Sequence, residues 1–555
     1  MSRTFFVFPK TFFVPTFELI GLSHKRSANI APKLPFVNTF FADFCTFLKD
    51  FSSIYILWFS PHILPNMSKM EHISISAAAL RDCFAGCGDY TERRLRFGLD
   101  TALELTVCWL DGMVSGSAVG LEILRPLTEL LRSARVSDPE QALRRIEAGA
   151  VYRHGLTRRE ILSDAAEDLC RGCCLIVFEA LGCALSFEIK TGQRRSVGEP
   201  TLEKSLKGGK DAFTETLRVN TALVRYRLAT PELKLAESTV GRRSRTQVAM
   251  LYLEGVAAPE TVRELARRLD ALDVDALLAT GTLEEAIVDA PLSPFPQLLH
   301  TERPDRFARH LADGRVGLLV DGLPVGLLLP VTLSEFMKVT GDGSMHFLVA
   351  SALRMLRWLA LMVGLLLPAL YAAVAMYHQE MIPTKLLLSI MEAERDVPFS
   401  TSLELLGMLA AFSLLQEAGL RMPNPIGDTV SIIGALIVGQ AAVEAKVVSP
   451  IAIIVVAASG ICCYTLPSQD LGFAVRLCRL LLLLGAIFAG LYGVGLVGCL
   501  LLLHLAELES FGVPYSAPLS GGRPGGLTRL LLRLPERLRI WRDPLLRTPD
   551  KRRRK

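Results

Sequence analysis

The sequence predicts an α+β cytoplasmic N-terminal domain, built as two subdomains, followed by an α-helical transmembrane bundle. Three observations predict it. The charged residues gather mainly before Arg357 and after Ser510. Between them, Trp358 to Met376 (WLALMVGLLLPALYAAVAM) is uncharged and long enough to span a bilayer core at ~1.5 Å per helical residue. Ahead of that run, strand-like alternation and helical spacing follow one another, as in a folded α+β protein.

The chain of 555 residues has room for about two to four domains. A net charge of +5 is small for this length, and no concentrated basic face precedes the tail, so nucleic acid is not an expected partner. The twelve cysteines are scattered, and Cys462, Cys463, Cys478 and Cys499 lie in or beside hydrophobic runs. Reduced thiols are expected rather than a secreted disulfide framework.

Residues 1–66 hold 13 of the 27 phenylalanines but no run long enough to span, no clean apolar signal core and no small-residue cleavage site. Two readings stay open: a physiological start at Met67 or Met70, or a true extension that is poorly ordered or lies on a membrane surface. Residues 67–193 form the first expected subdomain. There Thr101–Leu110 alternates and stops at Asp111-Gly112, as a strand does. Leu121–Arg135 and Gln141–Gly149 have helical spacing, and Leu175–Ala184 with Leu185–Ile189 reads as a hairpin. Cys170-x-x-Cys173-Cys174, with Cys183, Cys83 and Cys87, invites a zinc reading, but a single CxxC needs a second ligand pair. Buried thiols are the expectation, with no metal and no cofactor.

Residues 194–345 form the second expected subdomain. Thr214–Arg227 has helical spacing with Arg218, Arg225 and Arg227 around an apolar side. This is either a solvated face or a contact with acidic partners. Gln247–Leu253 is strand-like, and Pro259 opens a helix to about Leu272. Thr301 to Asp305 starts another helix. Arg315–Val320 and Val325–Leu329 flank the turn Asp321-Gly322-Leu323-Pro324 as a hairpin.

Residues 346–510 are the expected transmembrane domain. Val447–Leu466 and Leu480–Leu503 are further uncharged runs of spanning length; Thr429–Val443 and Leu405–Leu415 are shorter. Recurrent glycines, including Gly495 and Gly498, permit close helix approach in a bundle or oligomer. The tail, residues 511–555, ends Lys551-Arg-Arg-Arg-Lys555. Arg354 and Arg357 flank the first span, so the positive-inside rule places both the N-domain and the tail in the cytoplasm. That requires an even number of spans, most simply four. A polybasic end also favours anionic lipid.

There is no phosphate loop, no GxSxG and no HExxH, so no enzyme is expected. The residues that carry chemistry are the ion-path candidates His378, Gln379, Glu380, Gln440 and Glu444. An ionisable cluster at the mouth of a membrane helix is costly unless it faces water, protein or a passing ion. Conduction needs oxygen ligands or acidic rings on a wet path beside an apolar constriction, and Glu380 repeated around a ring would supply one. The alternative is that these groups pair within a bundle or lie at the headgroup level. Arg354 and Arg357 are coupling candidates, because they join the soluble part directly to the span.

An ordered set of stretches carries a further signal. In the soluble part these are Arg195-Ser-Val-Gly-Glu199-Pro200, Asn220 with Val224-Arg225, Val240-Gly241-Arg-Arg-Ser244 and Tyr252-Leu-Glu-Gly255-Val-Ala257. They continue through Ser293-Pro-Phe-Pro-Gln297, Thr301-Glu-Arg-Pro304, Gly314-Arg-Val316, Asp321-Gly322 and Leu353-Arg354-Met-Leu-Arg357. The apolar part adds His378-Gln-Glu-Met-Ile-Pro-Thr384, Val430 to Leu436, Val438 to Glu444, Val448-Ser-Pro450 and Ser510-Phe-Gly-Val-Pro-Tyr515. Together they resemble the GerA-type A-subunit family of bacterial spore germination receptors, and their order and spacing fit across about residues 85–518. Lys207 to Phe213 departs from the family's usual turn, the Phe-rich start has no counterpart, and the tail is more basic than usual.

The resemblance implies a homo-oligomeric protein of the spore's inner membrane, working with a transporter-like B subunit and a lipoprotein C subunit. Small nutrients would trigger it, and monovalent cation release would follow, with the A subunit forming the channel. Within the family the alternative is the accessory stage V sporulation paralogue that assists dipicolinic-acid release. Outside it, a secondary transporter would need inverted repeats, which the spacing of the later runs does not show.

Overall fold

The computed structural model describes residues 74–97, 103–133, 138–151, 155–189, 207–421, 439–519 and 530–553, with single positions 198, 200 and 203. The Phe-rich stretch 1–66, the 430–436 motif and most of the short apolar run before Val443 lie outside the described residues.

Helix α1 (Ala77–Cys83) starts at Ser76, whose hydroxyl accepts from Ala79 N at 3.1 Å. It leads into the antiparallel pair β1 (Tyr90–Phe97) and β2 (Leu103–Leu110). Helices α2 (Arg125–Ser133) and α3 (Pro139–Arg145) follow, then β3 (Thr157–Arg159) and α4 (Leu162–Cys170). A hairpin of β4 (Cys173–Phe178) and β5 (Cys183–Glu188) completes the first sheet, in the order β1-β2-β4-β5-β3. The hairpin turns at residues 179–182, about three residues earlier than the sequence suggests. Its signal is Gly182 at φ +61, which the continuous apolar run around it hides.

The second sheet repeats this path. Helix α5 (Leu217–Arg227) leads into β6 (Leu233–Val240) and β7 (Thr246–Leu253). Helices α6 (Pro259–Asp270) and α7 (Thr280–Ile287), strand β8 (Leu299–Thr301) and helix α8 (Pro304–Ala312) come next. The hairpin β9 (Val316–Val320) and β10 (Gly326–Leu329) ends it, and the order is β6-β7-β9-β10-β8. Every described pairing in both sheets is antiparallel. The soluble part is therefore one unit built twice: helix, two strands, two helices, strand, helix, hairpin.

Local chemistry fixes the second unit. The Asp321 carboxylate accepts from Leu217 N at 2.9 Å, so the turn of the β9–β10 hairpin holds the start of α5. Gly317 and Gly326 leave room for the Phe307 ring: a Cβ on either would lie 2.1 Å and 2.7 Å from its carbons. The two units meet through a buried ion pair, in which Arg225 of α5 grips both carboxylate oxygens of Asp89. Arg218 pairs with Glu237 and Asp111, and Arg227 with Asp211, so all three arginines of this helix face carboxylates.

One face of the second sheet continues into the helical half. Phe295, Phe336 and Tyr515 share an apolar cluster with Leu361, Leu471, Ala474 and Cys478. Two described helices are long and apolar enough to cross a membrane: α9 (Phe347–Tyr377) and, counting α10 (Thr384–Glu394), α11 (Thr401–Arg421) and α12 (Pro450–Tyr464) before it, α13 (Gln469–Glu507). The run at Leu405–Leu415 lies inside α11, which continues through both bordering glutamates.

The run Leu480–Leu503, expected as a single span, is a helical hairpin. The helix breaks at Ala489 and at Gly490, whose φ +59, ψ −140 only glycine readily adopts. Beyond the break the chain returns along itself, and a Cβ on Gly493 would lie 1.9 Å from the Gly485 carbonyl oxygen. Both ends accordingly reach the second sheet unit: Asp470 meets His300 at 2.9 Å and His504 meets Ser293 at 2.8 Å. As a straight helix the 39 residues would run roughly 58 Å; each arm runs roughly 27 Å, close to a hydrocarbon core.

Candidate functional site

Polar chemistry concentrates at the two ends of α9. At its start, the short turn Thr340–Ser344 holds Asp342, which is 2% exposed. Arg357 meets the carboxylate with both terminal nitrogens, each at 2.9 Å, and Arg354 Nε reaches it at 3.3 Å. Burial alone would raise the Asp342 pKa, but the Arg357 hydrogen bonds and the two positive charges hold it below the usual carboxylate range. From the C-terminal segment Arg533 donates to the carbonyls of Asp342, Gly343 (3.0 Å) and Met345 (2.8 Å). Its own N–H donates to Ser351 Oγ at 2.9 Å. The end of the soluble part, the start of α9 and the tail thus meet on one turn. The sequence points to Arg354 and Arg357. It gives no sign of Asp342, which stands among glycines and hydroxyls like any solvated turn residue, or of Arg533.

At the other end, the Tyr377 hydroxyl donates to Ile487 O at 2.5 Å, beside the tip of the α13 hairpin. His378 Nδ1 lies 3.3 Å from Ala373 O, and Gln379 Nε2 donates to Ala375 O at 2.9 Å. Both side chains turn back onto the C-terminal end of α9, and Gln379 meets a carbonyl among the last four of the helix, which lack helical partners. Glu380, in the turn Gln379–Met381, is exposed and has no hydrogen bond or ion pair among the described residues. Gln440 and Glu444 lie one helical turn apart on the stretch 439–444, and both are exposed. The chain brings His378, Gln379 and Glu380 onto one turn. Among the described residues no hydrogen bond or ion pair joins them to Gln440 or Glu444.

Three polar groups packed within the helical half, Glu404 and Arg479 buried and Glu394 half-buried, are not singled out by the sequence. Glu404 of α11 is 4% exposed and accepts the Ser449 N–H that precedes α12. Glu394 accepts from the hydroxyls of Tyr371 and Thr401, each at 3.3 Å. Arg479 of α13 is buried, donates to Ser459 Oγ at 2.9 Å and has no carboxylate partner among the described residues; Ser459 in turn donates to Gly364 O at 2.7 Å. Glu404 borders an apolar run and Arg479 begins one, positions that read as solvated ends in a one-dimensional scan.

The base of the hairpin gathers two motif segments. Gln297 is fixed by Ala290 on both sides, its amide donating at 2.6 Å and accepting at 3.0 Å. Ser510 Oγ donates to Gln297 O at 3.2 Å, and Phe295 packs on His504 and Tyr515. Beside them His300 Nδ1 contacts Asp470, with Glu284 at 3.5 Å from Nε2. Burial alone would lower the His300 pKa; Asp470 and Glu284 raise it above the ordinary value. Among the described residues no disulfide joins Cys170, Cys173, Cys174 or Cys183. Among the described residues no group of three or more His, Cys, Asp or Glu side chains is placed to hold a metal.

The family model described as Bacillus/Clostridium GerA spore germination protein matches residues 78–544. An uncharacterized membrane protein of Bacillus subtilis (strain 168), YfkQ, is 36% identical over 450 residues, covering 81% of this chain and 86% of its own. Spore germination protein KA of the same organism is 33% identical over 447 residues, covering 80% and 81%. The crystal structure of the N-terminal domain of the A subunit of the Bacillus megaterium spore germinant receptor GerK3 aligns at 27% identity. It covers 46% of this chain and 92% of that one, with a TM-score of 0.36.

Proposed function

We propose, from the premise that this chain belongs to the GerA spore germination protein family, that it is the A subunit of a spore germinant receptor. It is an oligomeric component of the spore's inner membrane that opens a cation path when small nutrients act on the complex. Its partners are a transporter-like B subunit, a lipoprotein C subunit and further copies of itself. The observation that carries this reading is the extent of the family match, which runs through the sheets and the apolar helices alike.

The geometry supports the channel component. Glu380 is an exposed carboxylate at the end of a long apolar helix, and repeated around a ring it concentrates cations at the mouth of a path lined by α9. His378 and Gln379 add ring nitrogen and amide groups beside it, and Gln440 and Glu444 supply a second polar face from the stretch 439–444. Exposed Leu348, Met355, Leu359, Phe488 and Tyr492 leave an apolar exterior that suits lipid or other copies. Opening is a two-state equilibrium, and a nutrient shifts it only through differential affinity for the two states. Arg354 and Arg357, locked on Asp342, are where a movement of the soluble part reaches α9.

The test is made on spores lacking this gene, following cation release after a panel of amino acids, sugars and nucleosides. Loss of response to one nutrient class, with the others intact, is the expected result. An unchanged response to every nutrient contradicts it.

A further inference from the structure

The C-terminal segment does not trail away from the protein; it folds onto α8. Arg542 Nε donates to Ala312 O at 3.1 Å, and Asp550 N donates to Gly255 O at 3.2 Å. Arg542 N and Arg553 N bond across the segment itself, to Lys551 O at 2.9 Å and Ile540 O at 2.8 Å. Thr548 packs on Gly314, which sits at φ +103 and has no room for a side chain there. Between this folded segment, α8 and the Asp342 turn lies a cavity of about 800 Å³. Ligand pockets run from roughly 300 to 1,000 Å³.

Eleven arginine and lysine side chains line the cavity against five carboxylates. Most of the cations are paired, as Arg553 is with Asp313 and Arg533 and Arg539 are with Glu536. Arg309 and Lys551 are not: among the described residues neither side chain has a hydrogen bond or an ion pair. Arg309 lies over Gly343, its Nη2 within 2.6 Å of where a Cβ would stand. Burial, and then the charge of Arg309, push the Arg553 guanidinium below its ordinary pKa. Cations crowded together without enough carboxylates are stabilised by an anion that meets several of them at once.

We infer that this cavity binds a small polyanion, one carrying two or more phosphate or carboxylate groups, held by Arg309 and Lys551 with the paired arginines around them. The anion is either free in solution or the headgroup of an anionic lipid. Because Arg354, Asp342 and Arg533 also line the cavity, a bound anion bridges the soluble part, the start of α9 and the tail. The site stands whether or not the chain conducts ions.

The full chain, reconstituted in phosphatidylcholine nanodiscs, is titrated calorimetrically with tripolyphosphate. Saturable binding is expected, weakened by about tenfold or more in R309A/K551A and unchanged in R125A, an exposed arginine of α2. Thermal melting checks that the double variant is folded; it removes no ion pair, so its melt should match the unaltered protein. The same titration in phosphatidylglycerol nanodiscs separates the sources. Undiminished affinity identifies a free anion, and affinity lost only there identifies a lipid headgroup already in the site. No binding in phosphatidylcholine, or binding equal in R309A/K551A, overturns the inference.

Discussion

Replacing Asp342 by asparagine keeps the shape of the side chain and removes the charge on which Arg354 and Arg357 converge. The carboxylate is 3% exposed and the two arginine side chains are 12% and 13% exposed, so little water can take its place. Breaking a buried pair by removing one partner costs about 3–5 kcal/mol, because the remaining charges stay buried without compensation. The cost falls on the junction, which Arg533 also holds through the carbonyls of residues 342, 343 and 345. Local opening of the turn should therefore become about 100-fold or more easier, at 1.4 kcal/mol per tenfold. Hydrogen exchange of the amides from Val339 to Met345, followed by mass spectrometry on the detergent-solubilised chain, reads this directly. Adding R354M and R357M to D342N should recover part of the protection, since the stranded charges are then gone. Exchange that changes by less than about threefold in D342N would refute the clamp, because a pair worth so little is a solvated one.

Three further outcomes follow from the same geometry. The raised pKa of His300 means that its contacts with Asp470 and Glu284 stabilise fully below the ordinary histidine value of 6.5 and are lost as pH rises through the folded pKa. Protection factors at the base of the hairpin, residues 468–472, with the base-catalysed intrinsic rate divided out, should fall from pH 6 to pH 8.5, and H300Q should flatten that dependence. G490A forces a side chain into φ +59 and against the Tyr377 ring at 3.0 Å, and should destabilise by about 1–3 kcal/mol, read as a lower melting temperature. R225M strands Asp89 in the interface between the two sheet units and should cost about 3–5 kcal/mol, whereas R218A, at a partly exposed pair, should cost about 1 kcal/mol or less.

The second hairpin of the soluble part was legible because Asp321-Gly322 interrupts two apolar strands, and α6 because Pro259 marks its first turn. Strands β1 and β6 were not, since Thr91-Glu-Arg-Arg94 and Glu237-Ser-Thr239 carry the composition of exposed loops while pairing with strands whose apolar faces supply the core. The twofold use of one strand order is hard to see for a related reason: it lies in pairings between residues far apart, and the plainest shared trace is the short turn that ends the second strand of each unit, Leu110-Asp-Gly112 and Leu253-Glu-Gly255. In the helical half, hydropathy identified the apolar run of α13 but not its reversal. A scale that averages over a window has no access to the backbone angles of Ala489 and Gly490. At the candidate site, His378, Gln379 and Glu380 stand out in the sequence because they are polar groups directly after an apolar run. Asp342 does not, because its significance lies in two arginines brought to it by a helix that begins after it.

The central claim, a cation path at the end of α9, is tested most directly by reversal potentials of the purified protein in planar bilayers under a potassium chloride gradient. The account predicts a cation-selective potential for the unaltered chain and a shift toward anion selectivity in E380K. A conductance whose selectivity is the same in both would contradict it.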